Sequence, residues 1–79
     1  MKMDSISINL EATGENIMSL RKKAGLKVTD IQDAMNFMSP QAVYKWESGK
    51  NLPTIDNCII LSRLLGVKMD DLFVINEAV

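Results

Sequence analysis

The stretch Ser39-Pro40-Gln41-Ala42-Val43-Tyr44-Lys45-Trp46-Glu47-Ser48-Gly49 decides how this chain is read. Serine is a favoured N-cap, and proline at the first helical position has no amide to leave unpaired. Gly49 supplies a left-handed stop. The pattern predicts a helix over 40–47. Val43 and either Trp46 or Glu47 fall on one face, and Gln41, Tyr44, Lys45 and Ser48 on the other. Taken alone, the second group reads as an ordinary solvated face.

Upstream, Ile31, Ala34 and Met35 predict a helix over 28–36, with Asp30 and Asp33 pointing outward. Its start is ambiguous, because Lys27 is not a capping residue and Thr29 offers a shorter alternative. Asn36-Phe37-Met38 reads as the turn between the two helices. A first helix over 13–24 follows from Thr13 as N-cap, Ile17, Leu20 and Ala24 at helical spacing, cations Arg21, Lys22 and Lys23 at its end, and Gly25 as the stop. Downstream, Asn51-Leu52-Pro53 is a loop and Thr54 caps a fourth helix. Its apolar stripe runs through Ile55, Cys58 or Ile59, Leu61 or Ser62, and Leu65 to Gly66. Met69-Asp70-Asp71 opens a short fifth helix over 69–73. At the ends, Ile6, Ile8 and Leu10 alternate with polar residues over 5–10, as in a half-buried strand, and Leu72-Phe73-Val74-Ile75 is rich in strand formers. Short terminal β arms, paired within one chain or between two, are the alternative to loose ends. The chain divides into an N-terminal arm (1–12), a helical domain (13–73) and a C-terminal tail (74–79).

Composition narrows the function. At 79 residues the chain is one domain, and with 47% hydrophobic and 24% charged residues it is an ordinary globular one. No apolar run approaches a membrane span, and no apolar segment follows Lys2 as in a signal peptide. There is no histidine and one cysteine, Cys58. This removes the common zinc frameworks, Cys–His nucleophile pairs and an intramolecular disulfide, so neither catalysis, a metal nor a cofactor is expected. A lone thiol without an export signal points to the reducing cytoplasm. Net charge is −1, but it is unevenly spread: −2 over 1–20, +3 over 21–50 and −2 over 51–79. A positive middle between acidic ends can focus a polyanion onto one face.

Two short helices joined by a tight polar turn, the second opening Ser-Pro-Gln and ending Lys-Trp-Glu-x-Gly, resemble the helix-turn-helix family of phage repressors and Cro proteins, the XRE-type regulators of bacteria. The resemblance covers roughly 13–73. It also rests on Asn16-Ile17, Leu20-Arg21-Lys22-Lys23-Ala24-Gly25-Leu26, Leu52-Pro53, Ile55-Asp56, Leu61-Ser62, Leu64-Leu65-Gly66-Val67 and Asp70-Asp71-Leu72. It implies an all-α, compact five-helix lambda-repressor-like domain whose third helix enters the major groove of double-stranded DNA. By that resemblance Gln41, Tyr44 and Lys45 contact bases, Lys27, Ser39, Lys50 and Asn51 contact phosphate, and Arg21 and Glu47 form a structural ion pair. The resemblance implies transcription regulation at the nucleoid, with this chain expected to act as a dimeric repressor on a near-palindromic operator.

The sequence departs from the family pattern at several places. Lys27-Val28 replaces Thr or Ser followed by Gln, so that phosphate contact is lost or passes to Lys27. Gln32 replaces a small residue, Asn36 the turn glycine, and Pro40 a side chain that often reads bases; the turn from Ile31 to Ser39 is one residue longer. Net acidity, Val28 and Pro40 favour the alternative, a protein-interaction module with a protein partner, antitoxin-like. Trp46 and Cys58 read as core, and Met18, Met35, Met38 and Met69 as gap fillers. One helix cannot bury Ile55, Cys58, Ile59, Ile60, Leu61, Leu64 and Leu65 in so small a core, so Ile59, Ile60 and Leu64 are candidates for a homodimer contact. Helices 4 and 5, the terminal arms, or DNA-assisted pairing all remain open as the route to a dimer.

Overall fold

The computed structural model describes residues 6–77. Residues 1–5 of the expected N-terminal arm and 78–79 of the tail lie outside them. The order is β1 (Ile6–Ile8), α1 (Leu10–Lys23), α2 (Val28–Ala34), α3 (Gln41–Glu47), α4 (Ile55–Leu65), a 3₁₀ turn (Met69–Leu72) and β2 (Ile75–Glu77). Among the described residues the architecture is mostly helical, as expected, with four α-helices in place of the expected five, and the alternative of short β arms holds as a two-stranded antiparallel sheet within one chain. The segment expected as a fifth helix over 69–73 closes as a single 3₁₀ turn, headed by the Lys68 N–H donating to the Asp71 carboxylate at 3.2 Å.

Helix α1 begins three residues before the expected Thr13. Asn9 is the cap: its Oδ1 accepts from the Ala12 N–H at 2.9 Å. Thr13 is instead fully buried. Its hydroxyl donates to the Val74 carbonyl at 3.4 Å and accepts the Val74 N–H at 2.9 Å, fastening α1 to the C-terminal segment. Asn16 makes a second fastening, its Nδ2 donating to the Asp71 and Leu72 carbonyls. Beyond these ties β1 and β2 pair with Ile6 opposite Glu77, Ser7 opposite Asn76 and Ile8 opposite Ile75. The strand signal at 72–75 thus falls mostly on the lead-in to β2. All six strand residues are exposed, so the alternation at 5–10 does not mark a half-buried strand.

Helix α2 ends at Ala34 instead of 36. Asn36 adopts the left-handed conformation (φ 57°), its N–H donating to Asp33 O at 3.1 Å and that of Phe37 to Gln32 O at 3.0 Å. This is the Schellman closure, in which the two residues past the cap reach back to satisfy carbonyls of the last turn. The same pair of bonds ends α1 at Gly25, α3 at Gly49 and α4 at Gly66. At the start of α2 the ambiguity resolves on the backbone: the Lys27 N–H donates to the Asp30 carboxylate at 2.7 Å, and Thr29 lies inside the helix. Helix α3 starts one residue late, at Gln41, with the Ser39 hydroxyl accepting the Gln41 N–H at 3.4 Å.

The core is Ile17 of α1, Ile31 of α2, Val43 and Trp46 of α3, Cys58, Leu61 and Leu65 of α4, and Leu72 of the 3₁₀ turn. Ala34, expected inside, is exposed, and Ile55 of the expected α4 stripe is 74% exposed, because α4 buries the face of Cys58, Leu61, Ser62 and Leu65. Thr54 makes no side-chain cap to α4. Its hydroxyl donates to the Asp56 carboxylate, which lowers the pKa of that exposed acid. Burial pushes the Cys58 thiol up, away from the reactive thiolate. Among the described residues no helix is long and apolar enough to cross a membrane.

Candidate nucleic-acid interface

Helix α3 has seven residues and no side-chain cap, too little to stand as a helix by itself. Tertiary contacts hold it on three sides. Along α1, Gly14 lies against its last turn so closely that a Cβ there would stand 2.5 Å from the Trp46 carbonyl oxygen and 2.6 Å from that of Glu47. On the α2 side, Trp46 meets Phe37 edge to face, ring centroids 5.8 Å apart and planes at 68°. Gln32, in place of a small residue, donates from Nε2 to the Phe37 carbonyl at 3.5 Å and so steadies that turn.

The third contact is an ion pair. Arg21 donates from Nε to Glu47 Oε2 at 2.6 Å, from Nη2 to Glu47 Oε1 at 3.1 Å and from Nη1 to the Leu26 carbonyl at 3.0 Å. Both side chains are buried, and the hydrogen bond to Glu47 raises the arginine pKa against the opposing effect of burial. A two-pronged pair fixes the orientation of both partners as well as their separation. Here it locks the end of α1 to the end of α3.

With α3 so held, its outer face opens onto a groove of about 440 Å³ lined by Gln41, Tyr44 and Lys45, by Lys50 just beyond the helix, and by Met18 and Lys22 from α1. Arg21 and Glu47 form its floor. Glu47 is the one carboxylate in that lining and is matched by Arg21, so the groove presents Lys22, Lys45 and Lys50 as its free cations among the described residues. Lys50 is aimed by the Schellman closure at Gly49 (φ 78°), where a Cβ would also strike the α1 backbone at Glu11.

Lys27, Ser39 and Asn51 are exposed but do not line this groove: Lys27 heads α2, Ser39 precedes α3, and Asn51 follows Lys50. Lys23 turns to a different hollow, with Leu20 and Val67. DNA binding asks for Lys22 or Lys23, with Lys27, Lys45 and Lys50, on the face of Gln41; the structure brings Lys22, Lys45 and Lys50 there and not Lys23 or Lys27, and adds Met18, which the sequence offered only as a gap filler. The signal for Met18 was available, since positions 18, 21 and 22 share a helix face and Arg21 was already matched to Glu47. Ile59 and Ile60 are exposed on α4 and Leu64 is half-buried. Among the described residues no cluster of three or more His, Cys, Asp or Glu is arranged to hold a metal.

The fold is shared with solved regulators. The restriction-modification controller protein C.AhdI from Aeromonas hydrophila matches with a TM-score of 0.71 at 22% identity, covering 81% of this chain and 96% of that one. The clp gene regulator ClgR from C. glutamicum matches with a TM-score of 0.69 at 21% identity, covering 84% of each chain. The S. venezulae BldD DNA-binding domain matches with a TM-score of 0.68 at 18% identity, covering 84% of this chain and 97% of that one. No curated protein sequence matches the chain. The helix-turn-helix family model matches residues 17–72, which run from the core of α1 through the groove-bearing α3 to the 3₁₀ turn. With that match over most of its length, the chain belongs to the Cro/C1-type helix-turn-helix (XRE) family.

Proposed function

We propose that this protein is a DNA-binding transcriptional regulator that reads double-stranded DNA with α3, acting as a homodimeric repressor on a near-palindromic operator in the cytoplasm. The observation that carries the reading is the groove: Gln41, Tyr44 and Lys45 stand together with two flanking lysines over a helix whose position is fixed by buried contacts. Family membership and a solved neighbour described as a DNA-binding domain support it.

Gln41 stands at the head of α3, where its amide can donate to and accept from one adenine edge in the major groove. Tyr44 and Lys45, one turn on, reach the next bases, Tyr44 through a thymine methyl and Lys45 through guanine acceptors. Lys22 and Lys50 flank the groove and Lys27, Ser39 and Asn51 lie beyond it, as contacts to the two phosphate strands. Phosphate contacts position the helix, and base contacts give sequence preference. In a dimer the two α3 helices enter successive major grooves about 34 Å apart, and occupancy blocks transcription.

Selection of the purified protein against a random double-stranded DNA library at about 150 mM salt, where non-specific attraction is weakened, tests this. A two-fold symmetric motif is the expected result. A folded protein that recovers no motif would overturn the DNA reading in favour of a module that binds a protein partner.

A further inference from the structure

Strands β1 and β2 form a two-stranded ribbon whose six residues are all exposed. Ile6 is 62% exposed, Ile8 40% and Ile75 51%. Two strands by themselves are marginal in water; three or more sharing an apolar face are not. Among the described residues neither edge of the ribbon has a partner strand, and the two edges differ. The β2 edge ends in Glu77, the kind of edge charge that keeps strands apart, whereas β1 has no charge over Ile6–Ile8.

The backbone of β1 says what its free edge accepts. The Asn9 N–H donates to the Val74 carbonyl at 2.8 Å. Hydrogen-bonded and non-bonded pairs alternate along an antiparallel ladder, so Ser7 is the residue that exchanges bonds with Asn76. The N–H and C=O of Ile6 and Ile8 therefore point outward, away from β2. An antiparallel strand can meet this edge by placing a residue with outward groups opposite each of them. A second copy of β1, turned about a two-fold axis through Ser7, does so: Ile6 faces Ile8 of the second copy and Ile8 faces Ile6 of the second copy. Each of these pairs exchanges two hydrogen bonds, and the interface is closed and self-complementary.

We infer that β1 is the surface through which two copies of this chain associate, giving a four-stranded sheet ordered β2-β1-β1-β2. Residues directly opposite one another share a face of the sheet, so Ile6, Ile8 and Ile75 of both copies join on one face, with Glu77 opposite Ile6 at its outer margin on the β2 strands, while Ser7 and Asn76 line the other. The α4 surface offers Ile59 and Ile60 but has no unpaired backbone groups to set a register, and Asp56 and Arg63 lie on the same exposed side. A three-residue edge pairs weakly, so the dimer forms as protein concentration rises or as two half-sites hold the copies together. The inference deepens the dimeric reading above but uses none of its DNA contacts.

Ser7→Cys tests it. The two Ser7 residues would face each other as a non-hydrogen-bonded pair with Cα atoms about 4.5 Å apart, within disulfide range. Diamide oxidation is followed on non-reducing gels for Ser7→Cys, for Ile60→Cys, and for the parent, whose buried Cys58 sets the baseline. We expect Ser7→Cys to cross-link at least tenfold faster than Ile60→Cys. Adding Ile6→Pro, which removes only an outward N–H, or Ile6→Lys if the proline variant does not fold, should abolish that gain. Cross-linking of Ser7→Cys no faster than that of Ile60→Cys, or indifferent to both Ile6 changes, overturns the inference. The library selection then still decides DNA binding independently.

Discussion

Gly14→Ala is the change for which the structure and helix propensity give opposite answers. Gly14 lies inside α1, where alanine is intrinsically better by about 1 kcal/mol. Against this, the added methyl would stand 2.5 Å from the Trp46 oxygen, 2.6 Å from the Glu47 oxygen and 2.9 Å from the Glu47 carbonyl carbon. An ordinary contact begins near 3.4 Å, so α1 and α3 must part by about 0.9 Å. All three atoms are backbone, and no side-chain rotation relieves them. Overpacking of this kind costs about 1–3 kcal/mol, and a rigid backbone contact belongs at the upper end. The net loss is then about 2 kcal/mol, which lowers the Tm of a domain this size by roughly 8–16 °C. Gly66→Ala is the control: its Cβ meets nothing within 4 Å, and only the left-handed φ of 68° is penalised, by about 1 kcal/mol. Urea and thermal unfolding followed by Trp46 fluorescence should rank parent above Gly66→Ala above Gly14→Ala. A Gly14→Ala protein as stable as the parent, or more so, would refute the idea that α3 is seated on the α1 backbone.

Glu47→Ala should destabilise by about 3 kcal/mol in chemical denaturation, because it leaves the Arg21 guanidinium buried without its partner; Arg21→Met with Glu47→Leu should recover much of that loss, and failure to recover it would mark the glutamate as more than a charge partner. Lys45→Ala should weaken DNA binding and reduce the slope of log K against log salt by about 0.9 if its ammonium displaces one counterion; an unchanged slope would remove that contact. Gln41→Ala should lower discrimination at one operator position by about 1–3 kcal/mol in competition binding, and uniform weakening across all sequence variants would argue against base reading. The Asp56 carboxyl should titrate by NMR below the ordinary aspartate range, moving back toward it in Thr54→Ala, since the Thr54 hydroxyl donates to the ionised form. Because that pKa is lowered on folding, its stabilisation is present above the ordinary value and is lost as pH falls through the folded one.

Punctuation in the chain was legible because its cause is local. Gly25, Asn36, Gly49 and Gly66 each take the left-handed conformation next to a helix end. That preference follows from the residue and its neighbours alone. The start of α1 was not legible in this way. Thr13 and Asn9 are both good caps, and the choice is made 61 residues away, where the Val74 amide and carbonyl claim the Thr13 hydroxyl. The 3₁₀ turn is a similar case: Asp71 supplies a helix-like start, but the carbonyls of Asp71 and Leu72 are claimed by Asn16, and the chain turns toward β2. Gly14 carried no sequence signal at all. In a helix it reads as a mild defect, and its use appears only when α3 is set against it.

The short helix α3 owes its fixed position to these non-local contacts. Seven residues without a side-chain cap leave α3 dependent on its neighbours, and the three contacts that hold it converge on consecutive residues, Trp46 and Glu47. The base-reading candidates Gln41, Tyr44 and Lys45 are displayed from the other side of the same helix, so a shift of the anchored turn moves all of them together. The departures from the family pattern fit this arrangement. Pro40 removes a side chain at the head of α3, yet the Ser39 hydroxyl still accepts the Gln41 amide. Gln32 is larger than the residue it replaces, yet it binds the carbonyl of Phe37, whose ring braces Trp46. The turn at Asn36 is thus held by a hydrogen bond from Gln32 and by the aromatic contact of Phe37 with Trp46. Gln32→Ala should therefore weaken operator binding more than it lowers stability, because it frees the turn that braces α3 while removing little buried surface. Equal losses in both would place Gln32 in the general scaffold instead.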